Sequence, residues 1–281
     1  MSPSPLATSN AAVSLTSSLS SSPVLTSLQS SSSSATVSPR GLWVLDDEDL
    51  ARQLCLAAYS HFDGIRMSDF LHKGWENPRS DSLRGVVALV NRVAAWVTST
   101  VVQEETLNAR ARLLARHIRT AHALVEMRNF QVAMAYVIAW NSAPVSRLRW
   151  TFAKLSRPVR AMKDRVDLLL DPRGSFKNYR AALAAAAKPC VPFLGCIFVD
   201  LTFCEDGNAD RIRGGIIHWY KYELLHRIVL PVLNFQGAPY AYTPAPAVQN
   251  FLEQLPAISA DEQFQCSLAR EPRNASRGEV V

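Results

Sequence analysis

Residues 189–240 read PCVPFLGCIFVDLTFCEDGNADRIRGGIIHWYKYELLHRIVLPVLNFQGAPY, and this stretch decides the fold. An apolar run ends in an acidic turn, Glu205-Asp206-Gly207-Asn208, and a short basic, glycine-bearing connection follows. A second run then returns, mixing apolar, aromatic and basic residues. That order describes a helical hairpin over Pro192–Leu230 with an acidic tip. The β-branched cluster Ile197 to Val199 sits inside the longer helical run and does not read as a strand.

The rest of the chain reads the same way. Asp46 is a helix cap, and Asp47, Glu48 and Asp49 occupy a first turn where the helix dipole favours acids. Leu50, Leu54, Ala57 and Ala58 recur at helical spacing, with Phe62 one turn on. Asp81-Ser82 caps a second helix that carries Val86, Val90, Val93 and Val97 on one face. Thr106 to Trp140 is the longest periodic region. Leu114, Ile118, Ala121 and Val125 make one stripe, Asn129 a break, and Phe130, Met134, Val137 and Ile138 a second stripe. Pro144 ends that region, Asp171-Pro172-Arg173-Gly174 is a turn, and Phe176 to Ala187 is an Ala-rich helix. The reading is therefore all-α: a single large irregular helical domain over 42–273 with a protruding helical hairpin, and a frayed end at 274–281. The leading residues 1–41 are Ser-rich and lack aromatics until the boundary, which predicts a disordered tail.

Composition narrows the function classes. Lysine and arginine total 30 against 24 acids, for a formal charge of +6. Such a balance suits an anionic membrane surface, nucleic acid or an acidic protein and selects none of them. The 5 cysteines are odd in number and without a C-x-x-C pair, as for free buried thiols in a reducing compartment. Secretory and membrane-spanning signals are not seen, so the chain reads as cytoplasmic. Arg112, Arg116 and Arg119 share a helix face, either an anion-binding stripe or a solvated surface. Phosphate-binding, nucleophile-elbow and zinc-protease motifs are missing, and the 6 histidines are scattered. The expectation is a protein that acts through its surface, with no cofactor and no metal.

Five blocks, in order, carry a resemblance. They are DLARQLCLAAYSHFDGI at 49–65, RNFQVAMAYVIAWNSAPVSRLRWTF at 128–152, SFKNYRAAL at 175–183, PCVPFLGCIFVDLTFCEDGN at 189–208 and SLAREPR at 267–273. Together they resemble the catalytic domain of guanine-nucleotide exchange factors for Ras-type small GTPases. The resemblance implies an all-helical fold whose hairpin displaces the first switch of the GTPase while the second switch rests in a groove. Nucleotide and magnesium then leave, and GTP replaces them. The partner it implies is a Ras-family GTPase (Ras first, with Rap and Ral as alternatives), and the chain meets the inner face of the membrane only through that lipidated partner.

Carried over residue by residue, the resemblance places Thr202 against the magnesium site and Asp206 near the phosphates. An acid there competes for the donors that cradle the nucleotide and repels its phosphates. The residues alone leave Asp206 open as a polar member of a helix-ending turn. Met134, Phe176 and Phe193 match the groove for the second switch, with plain core packing as the other reading. Asn141 matches a GTPase-contacting asparagine and also suits a helix end. Val87 aligns with the far wall of the groove. Lys221, in HWYKYE, matches a basic position of the return helix.

Two features depart from the family pattern. Pro231 lies in HRIVLPVLNF, where an interior proline costs about 3 kcal/mol and kinks or ends a helix. The leading residues are also too short and polar to form the separate helical module that props the hairpin in many members. Either the domain acts alone or the chain is a fragment. Rival readings are an exchange-dead GTPase-binding module and a basic all-α nucleic-acid binder.

Overall fold

Asp46 opens the first helix as its sequence predicts: its carboxylate accepts the Asp49 N–H at 2.6 Å, ahead of α1, Asp47–Phe62. The structure, a computed structural model, describes residues 45–76 and 80–280. The expected disordered tail at 1–41 and the domain start at Leu42 lie outside the described residues. Among them the chain forms α2 (Asp81–Gln103), α3 (Leu107–Glu126), α4 (Phe130–Asn141), α5 (Ala143–Ser146), α6 (Arg149–Ala153), α7 (Arg157–Leu169) and α8 (Arg173–Ala184). Then come α9 (Leu194–Gly207), α10 (Trp219–Leu233), α11 (Pro246–Glu253) and α12 (Ala260–Arg270). No strand occurs among the described residues, only isolated bridges, so the all-α reading holds.

Caps fix several boundaries. Ser80, not Asp81 or Ser82, caps α2 through the Leu83 N–H, which moves the predicted cap forward. Thr106 caps α3, and the predicted break at Asn129 is the cap of α4. The second stripe stops at Asn141, and Pro144 falls in the first turn of the short α5, where a missing N–H costs nothing.

The core forms where α2 packs against α4, with α1, α3 and α12 around them. By length and hydropathy α2 matches a membrane-spanning helix, but here Leu83, Leu89, Val93, Trp96 and Val101 are buried in the main core. Around that core the C-terminal motif closes a polar clasp. Glu271, 2% exposed, accepts the N–H groups of Trp150 and Thr151 at 3.0 and 2.9 Å and the Thr151 hydroxyl at 2.7 Å. Arg110, fully buried, donates to Thr151 Oγ1 and to the Glu104 and Glu105 carbonyls, 3.8 Å from the Glu271 carboxylate. Arg147 in turn binds the Ser267 and Glu271 carbonyls. Residues 275–280, within the stretch expected to fray, lie beside this clasp. Ala275 and Val280 are buried with Leu107, and Trp150 Nε1 donates to the Ala275 carbonyl.

Pro231 departs less than expected. It sits in the last turn of α10, which continues to Leu233 and is closed by the Asn234 N–H on the Leu230 carbonyl. Its missing N–H therefore removes one helical bond at the root of the hairpin, far from the tip. Just beyond, Gln236 Nε2 donates to the Phe62 and Ile65 carbonyls and ties that root to the end of α1.

Candidate functional site

The hairpin is α9 and α10 joined by residues 208–218. The segment that feeds it, 189–193, is stitched to the start of α4: Phe130 N–H binds the Val191 carbonyl and Val191 N–H the Arg128 carbonyl, each at 3.0 Å. Gln131 accepts the Leu194 N–H at 2.8 Å, and the Tyr179 hydroxyl accepts the Phe193 N–H at 2.7 Å. These bonds fix the Phe193 ring, which lies 5.6 Å from Phe176 and 6.2 Å from Tyr179 between centroids. Gly195 is required here because a Cβ at that position would run into the tip of the Phe193 ring. Phe176 reaches the ring through an unusual backbone. Gly174, Ser175 and Phe176 all take left-handed conformations, so α8 proper begins after Phe176 and not at it. Such a conformation costs roughly 1–2 kcal/mol for each non-glycine residue. The Arg180 Nε bond to the Ser175 carbonyl, 2.8 Å, offsets part of that cost. The same guanidinium makes a two-pronged pair with Asp200 on α9, both arms 2.8 Å.

The other side of the hairpin is braced by residues 67–76. Trp75 stacks on Phe198 of α9 with centroids 6.2 Å apart, and Phe70 lies 6.3 Å from the same ring. His72 and Lys73 are left-handed, with φ of 51° and 54°. That turn aims the His72 N–H at Glu205 (3.1 Å) and the Lys73 ammonium at Asp206 (2.7 Å). Glu205 also pairs with Lys221, which makes a second pair with Asp210 at 2.6 Å. Burial alone would lower the Lys221 pKa, but the Asp210 and Glu205 carboxylates outweigh it and raise it. The Asp206 carboxylate likewise raises the Lys73 pKa.

The expected site residues thus fall into three groups. Thr202 and Asp206 are one turn apart on α9; the Thr202 hydroxyl is committed to the Phe198 carbonyl at 2.8 Å, and Asp206 is exposed. Met134, Phe176 and Phe193 are 5–8% exposed and belong to the main core, so any groove they form is a shallow face of it. Asn141 is exposed at the end of α4, and Val87 is half-buried on α2. Lys221 is placed differently from its expected role at a partner surface. It is 3% exposed and spent on two carboxylates inside the hairpin, because α10 turns it toward α9. Sequence reasoning missed Phe203, which is 74% exposed beside Thr202, and the bracing pair His72 and Lys73. An apolar aromatic in the FCED run was the available signal for the first.

Other chemistry is muted. Burial pushes the Cys190 and Cys196 thiols up to about 12 and about 11, so neither is a thiolate at neutral pH. Among the described residues no three His, Cys, Asp or Glu side chains converge to hold a metal.

Comparison with known proteins supplies the family. The RasGEF domain matches residues 49–223. Relatives from Dictyostelium discoideum include Ras guanine nucleotide exchange factor V, 33% identical over 84% of this chain. Ras guanine nucleotide exchange factor K is 31% identical over 86%, and Ras guanine nucleotide exchange factor R 32% over 85%. The chain spans only 12%, 16% and 14% of those three proteins' lengths. Helix α9, its connection to α10 and the first four sequence blocks lie within residues 49–223, and the chain belongs to the RasGEF domain family.

Proposed function

We propose that this chain releases GDP from a Ras-family small GTPase and so promotes GTP loading. The observation that carries the reading is the asymmetry of α9. This helix is pinned by Arg180 on one side, by Phe70 and Trp75 on the other and by Lys221 from α10, while Phe203 and Asp206 stand exposed on its final turns. A pinned helix with an exposed acid is suited to act as a wedge, because the force of insertion is borne by the body of the domain. Asp206 competes for the backbone donors that cradle the nucleotide phosphates, and Thr202 fills the space of the magnesium ion. The face around Phe176 and Phe193, with Asn141 and Val87 at its margins, receives the second switch. No bond is made or broken; the chain binds the nucleotide-free GTPase better than the loaded one and shifts the equilibrium.

Lys73 has to give up Asp206 for this to happen. Both groups are substantially exposed, and exchanging one exposed partner for another costs little. Pro231 does not favour the binding-only reading, since it sits at the root of α10 and leaves the tip-side turns intact.

The test is release of a fluorescent nucleotide from a panel of Ras, Rap and Ral proteins. Acceleration of at least one is expected. Asp206→Ala slows it about tenfold, equivalent to about 1.4 kcal/mol, with GTPase docking retained. Binding without acceleration across the panel would falsify the exchange reading.

A further inference from the structure

Beyond Phe203 and Asp206, the hairpin carries a second exposed surface at the connection between α9 and α10. Eight large apolar side chains are exposed among the described residues, and five of them fall within 212–220: Ile212, Ile216, Ile217, Trp219 and Tyr220. Trp219 is 76% exposed and Ile216 63%. Every residue from Ala209 to Tyr220 except His218 is exposed, so this is a projecting tip and not the wall of a cleft.

The tip is held in shape. Ile212 N–H binds the Ile216 carbonyl at 2.8 Å, Gly215 N–H the Ile212 carbonyl at 3.1 Å, and His218 N–H the Asp210 carbonyl at 2.9 Å. Gly214 and Gly215 have φ of 84° and 76°, which the turn needs and which a side chain would strain. Arg211 closes the loop on the Gly215 carbonyl. A loose apolar loop would fold its side chains back on the body; this one keeps Ile212 and Ile216 facing outward at the same end.

Its charge is one-sided. Arg211 and Arg213 flank the isoleucines, and the one acid, Asp210, is already paired with Lys221 and faces His72. Exposed isoleucines on the loop, tryptophan and tyrosine at the start of α10 and arginines among them match a lipid interface. Aromatic rings settle there at headgroup depth, and arginines meet anionic lipid. Tryptophan, tyrosine and arginine also anchor protein interfaces, so release from an unlipidated GTPase is the measurement that separates the two surfaces.

We infer that the 211–220 tip docks on an anionic membrane surface, independently of any GTPase. The test is co-sedimentation of the full chain with vesicles of phosphatidylcholine containing roughly a third phosphatidylserine, against phosphatidylcholine alone, at about 0.15 M salt. Binding to the anionic vesicles is expected. Arg213→Ala weakens it roughly fivefold, and Ile216→Ser with Trp219→Ser weakens it about tenfold or more. Both variants keep the wild-type rate of nucleotide release from a GTPase that lacks its lipid, and both keep the wild-type melting curve. The inference is overturned if the wild-type chain ignores anionic vesicles, or if its binding survives both variants. It is also overturned if the variants slow release from the unlipidated GTPase, since the tip is then a protein-docking surface. A wild-type chain that releases no nucleotide at all defeats the exchange reading and leaves the vesicle result standing.

Discussion

The body of the domain and its hairpin are held by opposite means. In the body, apolar residues are buried from Leu50 on α1 through Val166 on α7, and the clasp groups Arg110, Thr151 and Glu271 are buried with them and linked to one another. In the outer hairpin the apolar residues face water, and charge does the holding, through Glu205, Lys221 and Asp210. Burial is strong and non-directional, so it fixes a body. Paired charges near a surface are weaker and exchangeable, so they suit an element that has to meet a partner. The two regions should therefore fail differently when struck.

The heaviest blow falls on the clasp. Glu271→Ala leaves the Arg110 guanidinium buried without its carboxylate and orphans the Trp150 and Thr151 N–H groups. Removing one partner of a buried ion pair costs about 3–5 kcal/mol. Urea denaturation should show that loss as a shift in the global midpoint, with the hairpin and the body unfolding together. A loss below about 1 kcal/mol would mean the clasp closes only the chain end.

Lys221→Met strikes the hairpin with a comparable local cost, on the order of 3 kcal/mol, because Glu205 is left buried beside an apolar chain. Here the global midpoint should move little. Amide exchange should instead rise across 204–222, and nucleotide release should slow. Lys221 holds the Asp210 carboxyl below its ordinary value, so this contribution is present above that ordinary value and is lost as pH falls through the depressed one. The native brace therefore persists at neutral pH and opens only in acid. Equal loss of protection in α2 and α4 would show that hairpin and body are one cooperative unit.

The body has its own acid sensitivity, smaller and at a milder pH. His117 is buried against Trp96 with its Nε2 3.0 Å from the Thr100 hydroxyl, and burial lowers its pKa to about 3. The folded protein refuses a proton that the unfolded chain accepts near pH 6.5. The stability it contributes is complete above that value and declines as pH falls toward the folded one. Between pH 7 and pH 5 the loss from this residue is about 2 kcal/mol. His61, lowered mainly by burial, adds in the same direction. The difference between unfolding midpoints at the two pH values should shrink in His117→Gln.

The same division explains what the sequence disclosed. The helices of the body were legible because Leu114, Ile118 and Ala121 repeat at helical spacing, Asp46 caps by a local rule and Asn129 marks a break that proves to be a cap. The hairpin was legible as two helices. Its brace was not: His72 and Lys73 meet Glu205 and Asp206 across more than a hundred residues, through left-handed turns that no periodicity marks. The turn at Gly174–Phe176 was hidden for the same reason, since Ser175 and Phe176 take a conformation their side chains disfavour. Lys221 was misplaced because its type suits a surface and only its tertiary neighbours draw it inward.

The lightest blow separates holding from acting. Lys73 and Asp206 are both exposed, so Lys73→Ala should leave the melting temperature unchanged. Its effect belongs to exchange. If the ammonium competes with the GTPase for the carboxylate, removing it speeds nucleotide release, within roughly threefold for an exposed pair, and the gain fades as salt screens the contact. A slower variant would reverse the assignment and make Lys73 the group that aims Asp206. We expect the faster one: Trp75 and Phe70 already fix α9 against the brace, so its geometry survives the loss of one exposed pair.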